Sequence, residues 1–331
     1  MKAIVQARYG SPDVLRLTDV EMPVPGEGQV LVRVEAASVN ARDWHLMRGD
    51  PYLARLAAPA LGVSRPKTAI RGSDFAGRVE AVGHGVTRFQ PGDEVFGDLR
   101  ETDGAFAEFV CAPEALVERK PANLTFAQAA AVPLAASTAL VGLRDVAKVQ
   151  AGQRVLINGA SGGVGTFAVQ IAQAFDASVT AVCSTKNVDF IRSLGADVID
   201  YTRDDFVRYG PHDVVFDLVG NRSLSDLRRS LARGGTIVLS GGGVSGNGRP
   251  SLVGPMGLTI RGMMAQRFSD GVRVLTAVPP GKNLGALRSL IESGKVNPVI
   301  DRSYPLSQAA DAIRYVEREH ARAKVVITMG A

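Results

Sequence analysis

Apolar and polar residues alternate in short runs over residues 1–120 of the chain. The runs are bounded by proline and glycine, for example at Pro23, Pro25, Pro91 and Gly92, and this spacing is typical of β-strands joined by turns. The predicted strands are Lys2–Ala7, Val14–Asp19, Gln29–Ser38, Ser73–Val82, Glu94–Phe96 and Ala105–Cys111. This part of the chain is therefore predicted to be β-rich.

The pattern changes at Gln153, where short apolar runs begin to alternate with segments of helical periodicity. Such alternation predicts an α/β domain with a doubly wound parallel sheet. Its predicted strands are Val155–Asn158, Val179–Cys183, Asp197–Asp200, Asp213–Asp217, Thr236–Ser240 and Leu258–Gly262, and its helices lie near residues 163–175, 187–194 and 223–233.

After Lys282 the pattern changes once more. The tail is predicted to contain a helix near 284–293, a strand at Val299–Arg302, a helix at Leu306–Arg318 and a strand at Lys324–Thr328. We expect this tail to return to the β-rich domain. Residues 1–122 and 282–331 then form one discontinuous domain, and residues 123–281 form an inserted nucleotide-binding domain.

A glycine-rich turn lies between the first strand and the first helix of the inserted domain. Residues 155–165 read Val-Leu-Ile-Asn-Gly-Ala-Ser-Gly-Gly-Val-Gly. Such a turn lets the backbone approach a pyrophosphate, and the unpaired N–H groups at the helix start face its charge. Ala160 stands where the strict G-x-G-x-x-G pattern begins with glycine. The flanking strand and helix still favour a dinucleotide over an ordinary turn.

The residues after the second strand of this domain indicate which dinucleotide is bound. In NAD-binding domains an acidic residue about 20 positions beyond the turn binds the ribose hydroxyls. Counted from Gly162, that position falls on Cys183, and Ser184, Thr185 and Lys186 follow. Two hydroxyls and an ammonium suit a phosphate, and this segment has no carboxylate to repel one. The sequence therefore predicts NADPH over NADH, although the hydroxyls also suit a helix cap.

Composition fits a globular enzyme. The chain has 331 residues, a length that is enough for two domains. Of these residues 46% are hydrophobic and 21% are charged, which is ordinary for a soluble globular enzyme. The net charge of +5 comes from scattered lysines and arginines, so no nucleic-acid-binding surface is predicted. Cys111 and Cys183 fall in different predicted domains. We therefore expect no disulfide and a reducing compartment.

A cytoplasmic protein without a membrane segment is expected. The chain opens with a predicted strand, Met1–Val5, and lacks the long apolar stretch of a signal peptide. The most apolar segment, Ala127–Leu143, contains Pro133 and Thr138 and is too short to span a bilayer comfortably. It predicts a buried helix pair that leads into the nucleotide-binding domain.

Seven short motifs follow one another along the chain. They are Ser38–Asp43, Gly72–Gly77, Pro91–Val95, Asn158–Gly165, Gly195–Asp197, Phe216–Gly220 and Ala323–Val326. Together they resemble the medium-chain dehydrogenase/reductase superfamily, specifically its zinc-free quinone oxidoreductase branch, over essentially the whole chain. The resemblance implies a GroES-like catalytic domain beside a Rossmann domain, with NADPH in the cleft between them. It also implies a homodimer in which strands near Leu258–Gly262 pair across the interface.

The resemblance further implies roles for individual residues. Those at the cofactor are Asn40 near the nicotinamide, Thr138 at the nicotinamide or its ribose, Ser161, Gly162, Gly163 and Val164 at the pyrophosphate, Lys186 and Tyr201 around the 2′-phosphate, Val219, Ser240, Gly241 and Gly242 along the nicotinamide half, and Lys324 as a further contact. Ser184 and Thr185 join the 2′-phosphate group on the residue pattern described above. Asn40, Thr138 and Tyr52 are the candidate catalytic residues. Tyr52 stands close to where enoyl-reducing relatives place a proton-donating tyrosine, and an ordinary loop tyrosine is the alternative.

Zinc is not expected. At the positions where zinc-dependent relatives carry ligands, this chain has the amide of Asn40 and, after Gly72, Ser73 in place of histidine. Without a Lewis acid, oxidation of a simple alcohol is disfavoured. The predicted reaction is hydride transfer from NADPH to a quinone or an α,β-unsaturated carbonyl, whose conjugation carries the developing charge.

Three other functions stay open on the sequence. The chain could be an enoyl-thioester reductase, an alcohol dehydrogenase with unusual zinc ligands, or a non-catalytic NADPH-binding protein.

Trp44, the only tryptophan, either lines the substrate pocket or packs in the core.

Overall fold

The chain folds into two compact units, each defined by the contacts among its own residues. The structure, a computed structural model, describes residues 1–50, 52, 55, 61–240, 256–268, 271–275, 278, 281–319 and 321–330. The first unit comprises Met1–Ala135, Pro279–Glu292 and Pro298–Ala331, and the second comprises Ala136–Val278 and Ser293–Asn297.

The strands are β1 (Lys2–Gln6), β2 (Leu15–Asp19), β3 (Gln29–Val39), β4 (Asp74–Val82), β5 (Glu94–Asp98), β6 (Phe109–Pro113), β7 (Val117–Arg119), β8 (Arg154–Asn158), β9 (Ser178–Cys183), β10 (Asp197–Asp200), β11 (His212–Asp217), β12 (Leu231–Leu239), β13 (Val272–Val274), β14 (Ile300–Pro305) and β15 (Lys324–Thr328). The α-helices are α1 (Ala41–Arg48), α2 (Phe126–Ala130), α3 (Pro133–Leu140), α4 (Gly163–Ala174), α5 (Val188–Ser193), α6 (Leu224–Arg229), α7 (Met256–Phe268), α8 (Lys282–Glu292) and α9 (Ala309–Arg318).

The first unit is built on the long strand β3. Its sheet has the order β14-β15-β3-β4-β5-β7, with β6 also paired to β3, and the strands are antiparallel except for β14 and β15. Residues of β3 and β4 such as Val32, Val34 and Phe75 enter one core with Met47 of α1 and Ile313 of α9. The predicted β-rich, GroES-like domain is confirmed.

The second unit contains a wholly parallel sheet in the order β10-β9-β8-β11-β12-β13. Its central strands are continuous apolar runs, such as Val155, Leu156 and Ile157 of β8, which are fully buried. A strand covered by helices on both faces requires such a run. The predicted doubly wound sheet is confirmed, and its order is that of two mononucleotide-binding halves meeting between β8 and β11.

The contacts divide the chain at places that differ from the predicted boundaries. Residues 123–135 were expected in the nucleotide-binding domain, but α2 packs on β3 and β4 and belongs to the first unit. Residues 293–297 lie with the second unit, where the side chain of Gln170 bonds to the backbone N–H and C=O of Asn297. Within the tail, Ser293–Asn297 therefore belong to the second unit, and the segments before and after them belong to the first.

The prediction of a strand at Leu258–Gly262 is wrong. These residues lie in the middle of α7, and β13 is the sixth strand of the sheet. A short apolar run does not distinguish a strand from a helix. A β-carbon at Gly262 would lie 2.7 Å from Leu239 Cδ1 and 2.8 Å from Val274 Cγ2, so glycine lets α7 approach the sheet. Strand pairing across a dimer at these residues is therefore not supported.

The helix expected over 223–233 ends at Arg229, and β12 begins at Leu231. The apolar segment Ala127–Leu143 folds as predicted into a helix pair, α2 and α3, and continues into a π-helical turn at Val141–Val146. No helix within the described ranges has the length and apolarity to cross a membrane.

Candidate active site

The turn after β8 is shaped by three glycines with different tasks. Gly159 has φ +88°, and a β-carbon there would lie 2.6 Å from Val219 Cγ2. A β-carbon on Gly165 would lie 2.2 Å from the carbonyl oxygen of Gly159, so Gly165 lets α4 pack against the turn. Both glycines are required by the fold itself.

Gly162 is different, because the protein does not need a glycine there. Its φ of −79° and ψ of 176° suit any residue, and a β-carbon would meet only the Gly159 oxygen at 3.5 Å. The space beside Gly162 is therefore open to a ligand. Gly163 and Val164 start α4, where backbone N–H groups have no intrahelical acceptor and attract anions. This turn fits the pyrophosphate of a dinucleotide.

Hydrogen bonds hold the neighbouring loops against the turn. Ser161 Oγ accepts a bond of 3.1 Å from Asn187 Nδ2, which ties the turn to the segment after β9. Asp217 Oδ1, at the end of β11, accepts from Asn158 Nδ2 at 2.9 Å and from the N–H of Val219 at 3.1 Å. The carboxyl ends of β8, β9 and β11 thus converge at the edge where Rossmann units bind their ligand.

The remaining predicted nicotinamide contacts of this unit are located only in part. The N–H of Ser240 bonds to the carbonyl of Asp217 at 3.0 Å, so Ser240 shares the edge with Val219. Gly241 and Gly242 lie outside the described residues. Thr138 is half-buried on α3.

The predicted 2′-phosphate site contains a carboxylate that the sequence analysis did not include. Lys186 and Tyr201 are exposed, and the N–H of Tyr201 bonds to the carbonyl of Cys183 at 3.1 Å. Asp200, the residue before Tyr201, accepts a 2.6 Å bond from Thr185 Oγ1. The expectation that no carboxylate faces this segment is therefore wrong, because β10 pairs with β9 and brings Asp200 level with Cys183.

In the first unit, Asn40 lies at the centre of a buried polar cluster. Its Nδ2 donates to Asp74 Oδ2 at 3.0 Å, and its Oδ1 accepts from Lys324 Nζ. Its backbone N–H donates to Asp43 Oδ2 at 2.7 Å, which fixes the start of α1. Ser38 Oγ also donates to Asp74 Oδ2, at 3.0 Å. Both ends of the Asn40 amide are therefore engaged by defined partners.

Burial dominates the electrostatics of this cluster. Asp43 and Asp74 are fully buried, and Lys324 is 3% exposed with its Nζ 3.9 Å from Asp74 Oδ2. Burial raises the pKa of Asp43 to about 7, and the nearby Asp103 acts in the same direction. Burial also raises the pKa of Asp74 while the Lys324 ammonium opposes that shift, and burial lowers the pKa of Lys324 itself. Lys324, expected at the cofactor, thus contacts Asn40.

A second buried charge group adjoins Asp43. Asp103 accepts from Arg42 Nη1 at 2.6 Å and from Arg71 Nη1 at 2.9 Å. Arg71 is fully buried and precedes Gly72, where φ is +92° and a β-carbon would lie 2.3 Å from the Phe106 ring. These ion pairs anchor the segment before β4 to the start of α1.

Tyr52 is not brought to the Asn40 cluster by any contact among the described residues. Asn40 caps the start of α1, whereas Tyr52 lies beyond Gly49 at its other end. The Tyr52 ring is 45% exposed, and the guanidinium of Arg55 lies over it at 4.4 Å from its centroid. Trp44 packs against the hydrophobic core of this unit and stacks on His45 with 3.6 Å between ring centroids.

Three residues of the site were not assigned from the sequence. Asp74 is an acid inside a buried strand that was quoted only as part of a motif, and Asp43 was quoted in the same way. Asp200 directly precedes the predicted phosphate contact Tyr201. A buried or strand-terminal acid beside a motif is the signal that could have found them.

The amide oxygen of Asn40, a position considered for a zinc ligand, is already engaged by a cation. Asn40 presents its oxygen to the ammonium of Lys324, a cation that would repel a metal ion at that oxygen. Within the described part of the chain, no cluster of three or more histidine, cysteine or acidic side chains could hold a metal. Cys111 and Cys183 are both free thiols.

A six-stranded parallel sheet with a glycine turn after its first central strand defines a Rossmann-type dinucleotide-binding unit. Together with the β-rich unit, it defines the class of two-domain nicotinamide-dependent oxidoreductases. Residues 26–122 match the alcohol dehydrogenase GroES-like domain family, and residues 194–327 match the zinc-binding dehydrogenase family.

The family of this chain is shown by its similarity to known proteins. The chain is 35% identical to the mitochondrial NAD(P)H oxidoreductase RTN4IP1 of Homo sapiens, over 99% of this chain and 89% of that protein. It is 37% identical to the 2-methylene-furan-3-one reductase of Solanum lycopersicum, over 99% of this chain and 79% of that one. The quinone oxidoreductase structure from Coxiella burnetii superposes with a TM-score of 0.83 at 30% identity, covering 100% and 99% of the two chains. The chain belongs to the medium-chain dehydrogenase/reductase superfamily, in its quinone oxidoreductase-like branch.

Proposed function

We propose that the protein is an NADPH-dependent oxidoreductase that reduces a quinone or an α,β-unsaturated carbonyl without zinc. The observation that carries this proposal is the open space beside Gly162, where no packing or backbone constraint requires glycine. A ligand whose phosphate approaches the backbone closely accounts for a glycine at this position. The bound cofactor supplies the hydride.

The Lys186 ammonium supports the preference for a phosphorylated cofactor. It is exposed in the short segment after β9, next to Asn187, which bonds to Ser161 of the glycine turn. A cation at this edge attracts the 2′-phosphate that distinguishes NADPH from NADH.

The Asn40 cluster supports an electron-poor acceptor in place of a simple alcohol. Nδ2 of Asn40 carries two N–H groups, and one of them donates to Asp74. We assign the other N–H the role of donor to the acceptor's oxygen as negative charge develops there. One neutral donor suffices where the acceptor's own conjugation spreads the charge, whereas an alkoxide needs a stronger electrophile. The same side chain supports a zinc-free reaction, because the Lys324 ammonium occupies its oxygen.

The proposal is tested by following the loss of NADPH absorbance after mixing with a panel of quinones, with conjugated ketones and with a crotonyl thioester. Turnover with quinones or enones, by protein free of bound zinc, is the expected result. Preference for the thioester would favour an enoyl-thioester reductase. Tight NADPH binding without turnover of any acceptor would favour a non-catalytic binding protein. Stoichiometric zinc that is needed for activity would reject the zinc-free reaction.

Two further expectations from the sequence remain predictions. The homodimer is tested by the molar mass of the purified protein in solution. The cytoplasmic location is tested by fractionation of cells that express the protein. Neither outcome bears on the chemistry proposed for the site.

A further inference from the structure

Asp200 lies at the end of β10 with an unusually complete set of hydrogen-bond donors. Its Oδ2 accepts from Thr185 Oγ1 at 2.6 Å, and its Oδ1 accepts from Thr202 Oγ1 at 2.8 Å and from the Thr202 N–H at 3.0 Å. A hydroxyl has a single proton. The two threonine hydroxyls also lie 2.8 Å from each other, where either can donate to the other, so at least one of them donates its proton to the Asp200 carboxylate.

The position of this carboxylate matches a known requirement of dinucleotide binding. NAD-binding Rossmann units place an acidic side chain at the end of the second strand, where it accepts from the ribose hydroxyls. In this chain the second strand, β9, ends at Cys183, and Asp200 of β10 is its direct partner in the parallel pairing. A neighbouring strand thus brings an acid to the same edge of the sheet.

Asp200 is negatively charged and within reach of a ligand. Hydrogen bonding, chiefly from Thr185, lowers its pKa, so the carboxylate is ionised at neutral pH. Its only ion-pair partner among the described residues is Arg203, at 3.6 Å, whose side chain is 75% exposed and offsets the charge weakly. Asp200 and Thr185 line an open cavity of about 390 Å³, whose other charged lining residues are Asp189, Arg192, Arg203 and Asp204.

We propose that Asp200 is a specificity-determining residue that opposes the 2′-phosphate of NADPH and accepts from the ribose hydroxyls of NADH. The inference rests on the proposed function, which puts the adenosine ribose at this edge. It gives the Thr185 hydroxyl, 2.6 Å from Asp200 Oδ2, a part in holding this carboxylate. Lys186 attracts the phosphate and Asp200 repels it, so the two side chains together set how strongly the enzyme prefers NADPH over NADH.

The test is the ratio of dissociation constants for NADPH and NADH, measured by titration of nicotinamide fluorescence. Asp200→Asn keeps the side-chain shape and one acceptor oxygen but removes the charge. It should shift the ratio at least fivefold toward NADPH. Asp197→Asn removes the same charge from the exposed opposite end of the same strand, and it should leave the ratio unchanged.

A second variant keeps the test decisive if Asp200→Asn folds poorly. Thr185→Ala should weaken NADPH no more than NADH, because the lost hydroxyl is bonded to Asp200. Selective loss of NADPH affinity in Thr185→Ala, or an unmoved ratio in Asp200→Asn, would overturn the role of Asp200 and leave the proposed function standing. If the wild-type protein bound neither cofactor, both proposals would fall.

Discussion

Replacement of Gly162 by alanine separates the cost of folding from the cost of binding. The alanine β-carbon would make one ordinary contact, at 3.5 Å from the Gly159 oxygen, and the backbone angles suit any residue. Loss of glycine at a helix N-cap should change the free energy of unfolding by about 1 kcal/mol at most. The methyl group would occupy the space that a pyrophosphate must enter. We expect the affinity for both NADPH and NADH to fall at least tenfold, about 1.4 kcal/mol.

Gly165→Ala is the matched control for this experiment. Its β-carbon would lie 2.2 Å from the Gly159 oxygen and 2.6 Å from the Ala160 carbonyl carbon, both of which are backbone atoms. Such overpacking should lower the free energy of unfolding by about 1–3 kcal/mol. Urea unfolding gives the free energy of unfolding of each variant, and fluorescence titration gives its affinity for the cofactor. Wild-type cofactor affinity in Gly162→Ala, or a stability loss in Gly162→Ala equal to that of Gly165→Ala, would refute the assignment of the turn.

Three further predictions concern charged residues. Lys186→Ala should raise the dissociation constant of NADPH about tenfold more than that of NADH, since one charge-assisted bond of about 1–2 kcal/mol is lost; equal weakening in the fluorescence titration would reject the phosphate contact. Burial raises the pKa of Asp43 from 3.8 to about 7, so between these pH values the folded protein holds a proton that the unfolded chain releases. The free energy of unfolding of the wild type, measured in urea, should therefore fall relative to that of Asp43→Asn as pH rises through this range, by up to about 4 kcal/mol. A difference that does not depend on pH would contradict the burial of Asp43 as a neutral acid. Lys324→Met should lower the free energy of unfolding by about 3–5 kcal/mol in the same assay, because it leaves the Asp74 carboxylate buried without its cation. The double variant with Asp74→Asn should regain most of that stability. Additive losses in the double variant would argue against coupling between Lys324 and Asp74.

The parts of the fold that the sequence predicts are those with local signals. The apolar run at Val155–Ile157, the glycine turn and the helix that follows are contiguous, so period and turn chemistry identify them together. The strand predicted at Leu258–Gly262 fails because five residues of mixed apolar character satisfy either geometry. The close fit of Gly262 against Leu239 and Val274 favours the helix, and that fit depends on the assembled sheet.

In the candidate site, too, features with a local sequence signal could be predicted and features that depend on the assembled fold could not. The turn around Gly162 was predictable, whereas the partners of Asn40 come from α1, β4 and β15, which the fold alone brings together. Asp200 meets Thr185 because β10 pairs with β9 in one particular register. A one-residue shift of that register would move its side chain to the other face of the sheet. Register is a tertiary property, and no pattern within residues 183–201 encodes it.

The Asn40 cluster is better explained by orientation than by stability. Burying two carboxyl groups and an ammonium is costly, and apolar replacements of buried ion pairs are often neutral or stabilising. What the arrangement secures is the direction of one amide. If the amide of Asn40 were flipped, its oxygen would face the Asp74 carboxylate and its N–H groups would face the Lys324 ammonium, both of which repel it. Lys324 and Asp74 therefore hold the Asn40 donor in a single orientation, which is what a reaction that depends on one neutral hydrogen-bond donor requires.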